Sequence, residues 1–99
     1  MFNAPIGKLI VRVSFLENEP FEVFVTISKS GSAYYSLVEA IGRLCSLALR
    51  SKVPLSEIID QLRGISEGNR FYSEGEELRS LPDAVGFVLQ EIKKKGELS

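Results

Sequence analysis

Ninety-nine residues with 12 basic and 13 acidic side chains give a net charge of −1, which supplies no general field to attract nucleic acid or an acidic membrane. One cysteine and no histidine exclude an internal disulfide framework and the usual zinc sets, and they remove the commonest general base with every triad built on it. A hydrophobic share of 44% and a charged share of 25% fit one ordinary folded domain over residues 1–99, small enough that association of copies would add useful stability.

The first periodic stretch places apolar residues at Leu9, Val11, Val13 and Phe15, and after "LENEP" at Phe21, Val23, Val25 and Ile27. Period two predicts two strands joined as a β-hairpin through a loop of about five residues, with all eight side chains on one buried face. The other face is polar apart from Ile10 and Phe24, which are candidates to meet a partner.

"SKSGSA" breaks this pattern and precedes a helix over about residues 33–50, capped by Ser30 or Ser32. Leu37, Ile41, Leu44 and Ala48 recur at helical spacing, widened by Ala40, Cys45 and Leu47, and predict a largely core-facing helix. Cys45 reads as a small core hydrophobe. Pro54 opens a shorter helix whose face is Leu55, Ile58, Ile59 and Leu62 and which stops at Gly64.

Residues 65–79 hold no sustained period and predict an ordered loop or short extra hairpin centred on Phe71 and Tyr72. The last helix opens at Ser80, whose hydroxyl can accept a backbone N–H from the third helical residue, while Pro82 and Asp83 suit its first turn. Its apolar side is Leu81, Val85, Val88, Leu89 and Ile92, and Lys93, Lys94 and Lys95 complement the dipole at its end. The expected fold is α+β, an N-terminal β-hairpin packed on about three helices. The N-terminus lacks a charged segment followed by a long apolar run, and no apolar stretch reaches about 18 residues, so the expected location is cytoplasmic.

The ordered blocks "PFEVFVTISKSGS", "EAIGRLCSLALRS", "IIDQLRGI" and "SLPDA" resemble the TSCPD domain, found at the C-terminal end of adenosylcobalamin-dependent ribonucleotide reductases and in short independent proteins. Cysteines common in that family fall at Leu81, near Ser66 and Glu67, and near Gly31, Ser32 and Ala33, and none is present here. The resemblance therefore implies the family's shape without its thiol chemistry, since leucine and alanine offer neither a metal ligand nor a thiolate. A chain of this size also leaves no place for a reductase's catalytic barrel or cobalamin site.

Two segments carry candidate binding chemistry. In the first, Gly31 permits close backbone approach, Ser30 and Ser32 offer hydroxyls and Lys29 a charge at a helix N-terminus, with Tyr34 and Tyr35 following, one to stack on a base and one to face the core. In the second, Asn69 can pair with a base edge, Arg70 with a phosphate, and Phe71 or Tyr72 can stack. Each segment also has a plain structural reading, a serine-capped turn and a loop pinned by its aromatics.

Glu76 and Glu77 sit in a polar stretch that gives no reason for raised pKa values, so catalysis is not expected, nor is a cofactor or metal. The leading expectation is a non-catalytic homo-oligomeric module that binds a nucleotide-like anion, either as an accessory to a ribonucleotide reductase subunit or as a free-standing protein that senses or sequesters a nucleotide, including a cyclic nucleotide signal of phage defence. The alternative is a protein–protein interaction domain with no small-molecule ligand.

Overall fold

The computed structural model describes residues 2–4, 7–27, 32–68, 70–73 and 75–98. The fold is α+β: a three-stranded antiparallel sheet, β1 (Phe2–Ala4), β2 (Gly7–Leu16) and β3 (Glu19–Ile27) in that spatial order, then helix α1 (Ser32–Arg50), helix α2 (Leu55–Leu62), a two-stranded hairpin β4 (Phe71–Ser73) and β5 (Glu76–Leu78), and helix α3 (Leu81–Leu98). The expected hairpin is present, with β1 as an additional strand paired to β2 through Phe2↔Leu9.

The β2–β3 connection is tighter than the expected five residues. Only Glu17 and Asn18 form the turn, both at positive φ (53° and 68°), the handedness of a two-residue type I′ turn that matches strand twist. Pro20 enters β3 opposite Phe15, and Phe21 is left as a bulge because Ser14 pairs with Glu22. The buried face is accordingly shorter than expected: Leu9, Val11, Val23, Val25 and Ile27 lie in the core and Val13 is half-buried, whereas Phe15 and Phe21 at the distal end are exposed.

Helix α1 lies along β3 with a rotation that the hydrophobic pattern did not predict. Val38, Cys45 and Leu49 enter the core, while Leu37, Leu44 and Leu47 are 60%, 67% and 56% exposed and Ala40 is exposed too. The cause is backbone proximity. A Cβ on Gly42 would come within 3.2 Å of the Val23 carbonyl oxygen and the Val25 nitrogen, so this glycine sets the face of closest approach. One turn later the Ser46 hydroxyl accepts from the Val23 N–H (2.9 Å) and donates to the Val23 carbonyl (3.0 Å). Those two backbone groups point away from β2, so α1 covers the free edge of β3 and satisfies it.

Helix α2 presents Leu55, Ile58 and Ile59 to the core and ends before Gly64, whose φ of +87° suits a chain reversal. The predicted extra hairpin is β4–β5, in register Phe71↔Leu78 and Tyr72↔Glu77, and Leu78 is fully buried. Helix α3 buries Leu81, Ala84, Val85 and Leu89, and Val88 and Ile92 pack partly against the same core.

Candidate functional site

The "SLPD" segment, one of the blocks that carry the resemblance, forms a polar knot beneath α3. Ser80 caps the helix by accepting the Asp83 N–H (3.1 Å) and donates to the Ile65 carbonyl (2.6 Å). Asp83 is 2% exposed and receives the Gly64 N–H and the Arg63 Nε on one oxygen, both at 2.9 Å, and the Arg79 N–H on the other at 3.0 Å. Burial alone would raise its pKa, but these bonds together with the nearby Arg63 charge outweigh that and hold the carboxyl below its ordinary value.

Arg63 also donates to the Gln90 side chain (3.0 Å), lies 5.5 Å over the Phe87 ring and faces Glu76 at 3.9 Å. It is therefore a half-buried strut. Leu81, at the family's cysteine position, packs in the core. The knot joins the turn after α2, the end of β5 and α3, and every polar group in it has a structural partner.

On the β4–β5 hairpin, Glu77 accepts from Tyr72 Oη (2.8 Å) and from Arg70 (2.7 Å) on its two oxygens. The Tyr72 hydrogen bond, aided by Arg70, keeps the Glu77 carboxyl below its usual range, and the same hydrogen bond with the Glu77 charge pushes the Tyr72 phenol up against the opposing pull of Arg70. A lowered carboxylate pKa is the opposite of what a general acid needs. Tyr72 itself is 74% exposed, its hydroxyl tethered and its ring turned outward.

The sequence candidates divide as follows. Arg70 and Tyr72 are brought together through Glu77, and Phe71 stands in β4 opposite Leu78. Tyr34 and Tyr35 occupy the start of α1 and both are exposed, so the expectation that one faces the core is corrected: the core on this side is filled from Val38 onward. Ser32 is the first residue of α1; Lys29, Ser30, Gly31 and Asn69 lie outside the described residues. Among the described residues, no hydrogen bond or ion pair links the tyrosines of α1 to Tyr72.

Three concave regions lie away from these residues. One, about 360 Å³, sits under the β2–β3 turn between Phe21, Leu49 and Pro54. A second, about 460 Å³, runs beside β3 and α1 among Arg12, Phe24, Arg43 and Arg50. The third, about 320 Å³, is an almost wholly apolar groove between α1 and α2 formed by Ile41, Leu44, Ala48, Val53, Ile58 and Leu62.

Arg43 pairs with Glu39 at 2.8 Å and Arg50 with Glu22 at 3.8 Å. Packing sets both beside Arg12, a grouping the sequence pattern does not reveal. No helix among the described residues is long and apolar enough to cross a membrane, and no three His, Cys, Asp or Glu side chains among them group as metal ligands would. The Cys45 thiol is buried, which pushes its pKa up and makes it a poor nucleophile.

No curated protein and no solved structure matches this chain. The TSCPD domain family model does, over residues 3–93 of 99, and so runs from within β1 to within α3 and includes the Ser80–Asp83 cap just described. The chain belongs to the TSCPD domain family.

Proposed function

We propose that this protein is a non-catalytic recognition module that binds a nucleotide-like anionic ligand and works as an assembly of copies. The observation that carries the reading is Tyr72, an aromatic ring 74% exposed yet held in place by its hydroxyl bond to Glu77. A fixed, outward ring is a preformed stacking surface whose ordering entropy is already spent on folding. Arg70 braces the same carboxylate, and the exposed Tyr34 and Tyr35 offer further ring faces. Lys29, Ser30, Gly31, Ser32 and Asn69 complete the proposed contact set by their chemistry. The biological settings that suit such a module are an accessory role in ribonucleotide reduction and, in a free-standing protein, sensing or sequestration of a nucleotide, including a cyclic signal in phage defence.

A thermal-shift panel of nucleotides and cyclic nucleotides tests the reading. A ligand at a hundred times its dissociation constant adds about 2.7 kcal/mol of stability, several degrees for a domain of this size. The shift should vanish in Tyr72→Ala and shrink in Arg70→Ala; an unmoved melting point across the panel refutes the reading.

A second reading, a protein–protein interaction domain without a small ligand, is favoured by the α1 surface. Leu37, Leu44 and Leu47 are each more than half exposed beside the apolar groove between α1 and α2. Contiguous apolar surface of this kind marks contact with protein more often than with water. Light scattering of the purified chain, alone and with a reductase subunit, separates self-association from docking on that partner.

A further inference from the structure

The groove beside β3 and α1 is built differently from the tyrosine hairpin and stands independently of it. Three of the chain's six arginines, Arg12, Arg43 and Arg50, line it, in a molecule whose net charge is −1. Arg43 is matched by Glu39 and Arg50 by Glu22. Arg12 is not matched. Its guanidinium lies 5.7 Å over the Phe24 ring and has no hydrogen bond or ion pair to any described residue. Stacking fixes the plane of the group while leaving its N–H edge free, the arrangement that suits a two-oxygen anion approached side-on.

The balance of charge selects the ligand. Three guanidinium groups against two carboxylates leave one positive charge, so a singly charged oxyanion neutralises the groove and a doubly charged one overshoots it. The volume, about 460 Å³, falls in the range of small-molecule sites and exceeds what a bare ion would fill. The groove floor is rigid, because Ser46 locks Val23 and the Gly42 contact holds α1 against the strand. We infer that this groove binds a small molecule carrying a singly charged oxyanion, with Arg12 as its anchor and Phe24 as the ring that orients Arg12. Phosphodiesters and carboxylic acids share that chemistry.

Amide-resolved NMR titration with 3′,5′-cyclic AMP for the phosphodiester and benzoate for the carboxylate tests the site and identifies the source, with adenosine as the uncharged control. The expected result is saturable movement of the Val23, Val25 and Gly42 amides by at least one charged probe at millimolar concentration. Affinity read at these amides should fall by at least about tenfold, about 1.4 kcal/mol, in Arg12→Gln. Arg12 makes no bond that folding needs, so the variant keeps the native spectrum. The inference is overturned if neither charged probe moves these amides, if adenosine moves them equally, or if Arg12→Gln binds as tightly as the parent.

Discussion

Ser46 and Val23 exchange two hydrogen bonds across 23 positions of chain, the serine hydroxyl accepting from the strand N–H and donating to the carbonyl of the same residue. Both partners are buried, at 6% and 2% exposure. Ser46→Ala leaves a buried donor and a buried acceptor without partners. The expected loss is about 2 kcal/mol, seen as a lower urea midpoint with an unchanged slope.

Gly42 sets the same contact sterically. A side chain there meets backbone atoms of β3, which cannot rotate away as a flexible side chain would. Gly42→Val should therefore push α1 off the strand and cost about 3 kcal/mol, although valine would be tolerated at an exposed helix position. A chemical-shift map of the variant should show the largest changes at Val23 and Val25.

The Asp83 knot makes stability depend on acid. Its folded pKa lies below the unfolded value of about 3.9, so its contribution is complete above that pH and is lost as pH falls through the folded value. Asp83→Asn should cost about 3 kcal/mol at neutral pH and flatten the decline below about pH 4. Urea midpoints measured across that interval for parent and variant check both statements.

On the solvent side of α1, Leu44→Glu separates stability from assembly. The side chain is 67% exposed in the single chain, so the monomer should change by no more than about 0.5 kcal/mol. If copies associate through this face, the parent elutes as an oligomer and the variant as a monomer in light scattering. Equal masses for the two would assign association, if any, to another surface.

The β2–β3 turn offers a stabilising change. Glu17 holds a positive φ of 53°, which costs a non-glycine residue roughly 1 kcal/mol and which asparagine adopts more readily. Glu17→Asn should raise the melting temperature without altering the fold, as calorimetry would record.

Much of the architecture was readable because its signals are local. Alternation from Leu9 to Phe15 and from Phe21 to Ile27 marked the strands, Pro54 and Gly64 bounded α2, and Ser80 announced the cap it forms with Asp83. The rotation of α1 was not readable from hydropathy, because its apolar arc is broader than the core needs and the core takes only the side with Val38, Cys45 and Leu49, leaving Leu37, Leu44 and Leu47 outside. Gly42 and Ser46 decide the matter, and neither weighs heavily in a hydrophobic count. The candidate sites were legible in part: the exposed tyrosines came from composition, but Arg12 sits on β2 and Arg43 and Arg50 on α1, and only packing makes the three neighbours. The tight turn at Glu17 and Asn18 was obscured by Pro20, which looked like part of the loop and instead lies within the strand beyond it.

Because α1 seals the outer margin of β3, no foreign chain can extend the sheet there without first prying off a nineteen-residue helix. Fibril-like growth through this margin is closed off at the cost of one hydroxyl and one missing side chain, and copies that meet on this flank must do so helix first.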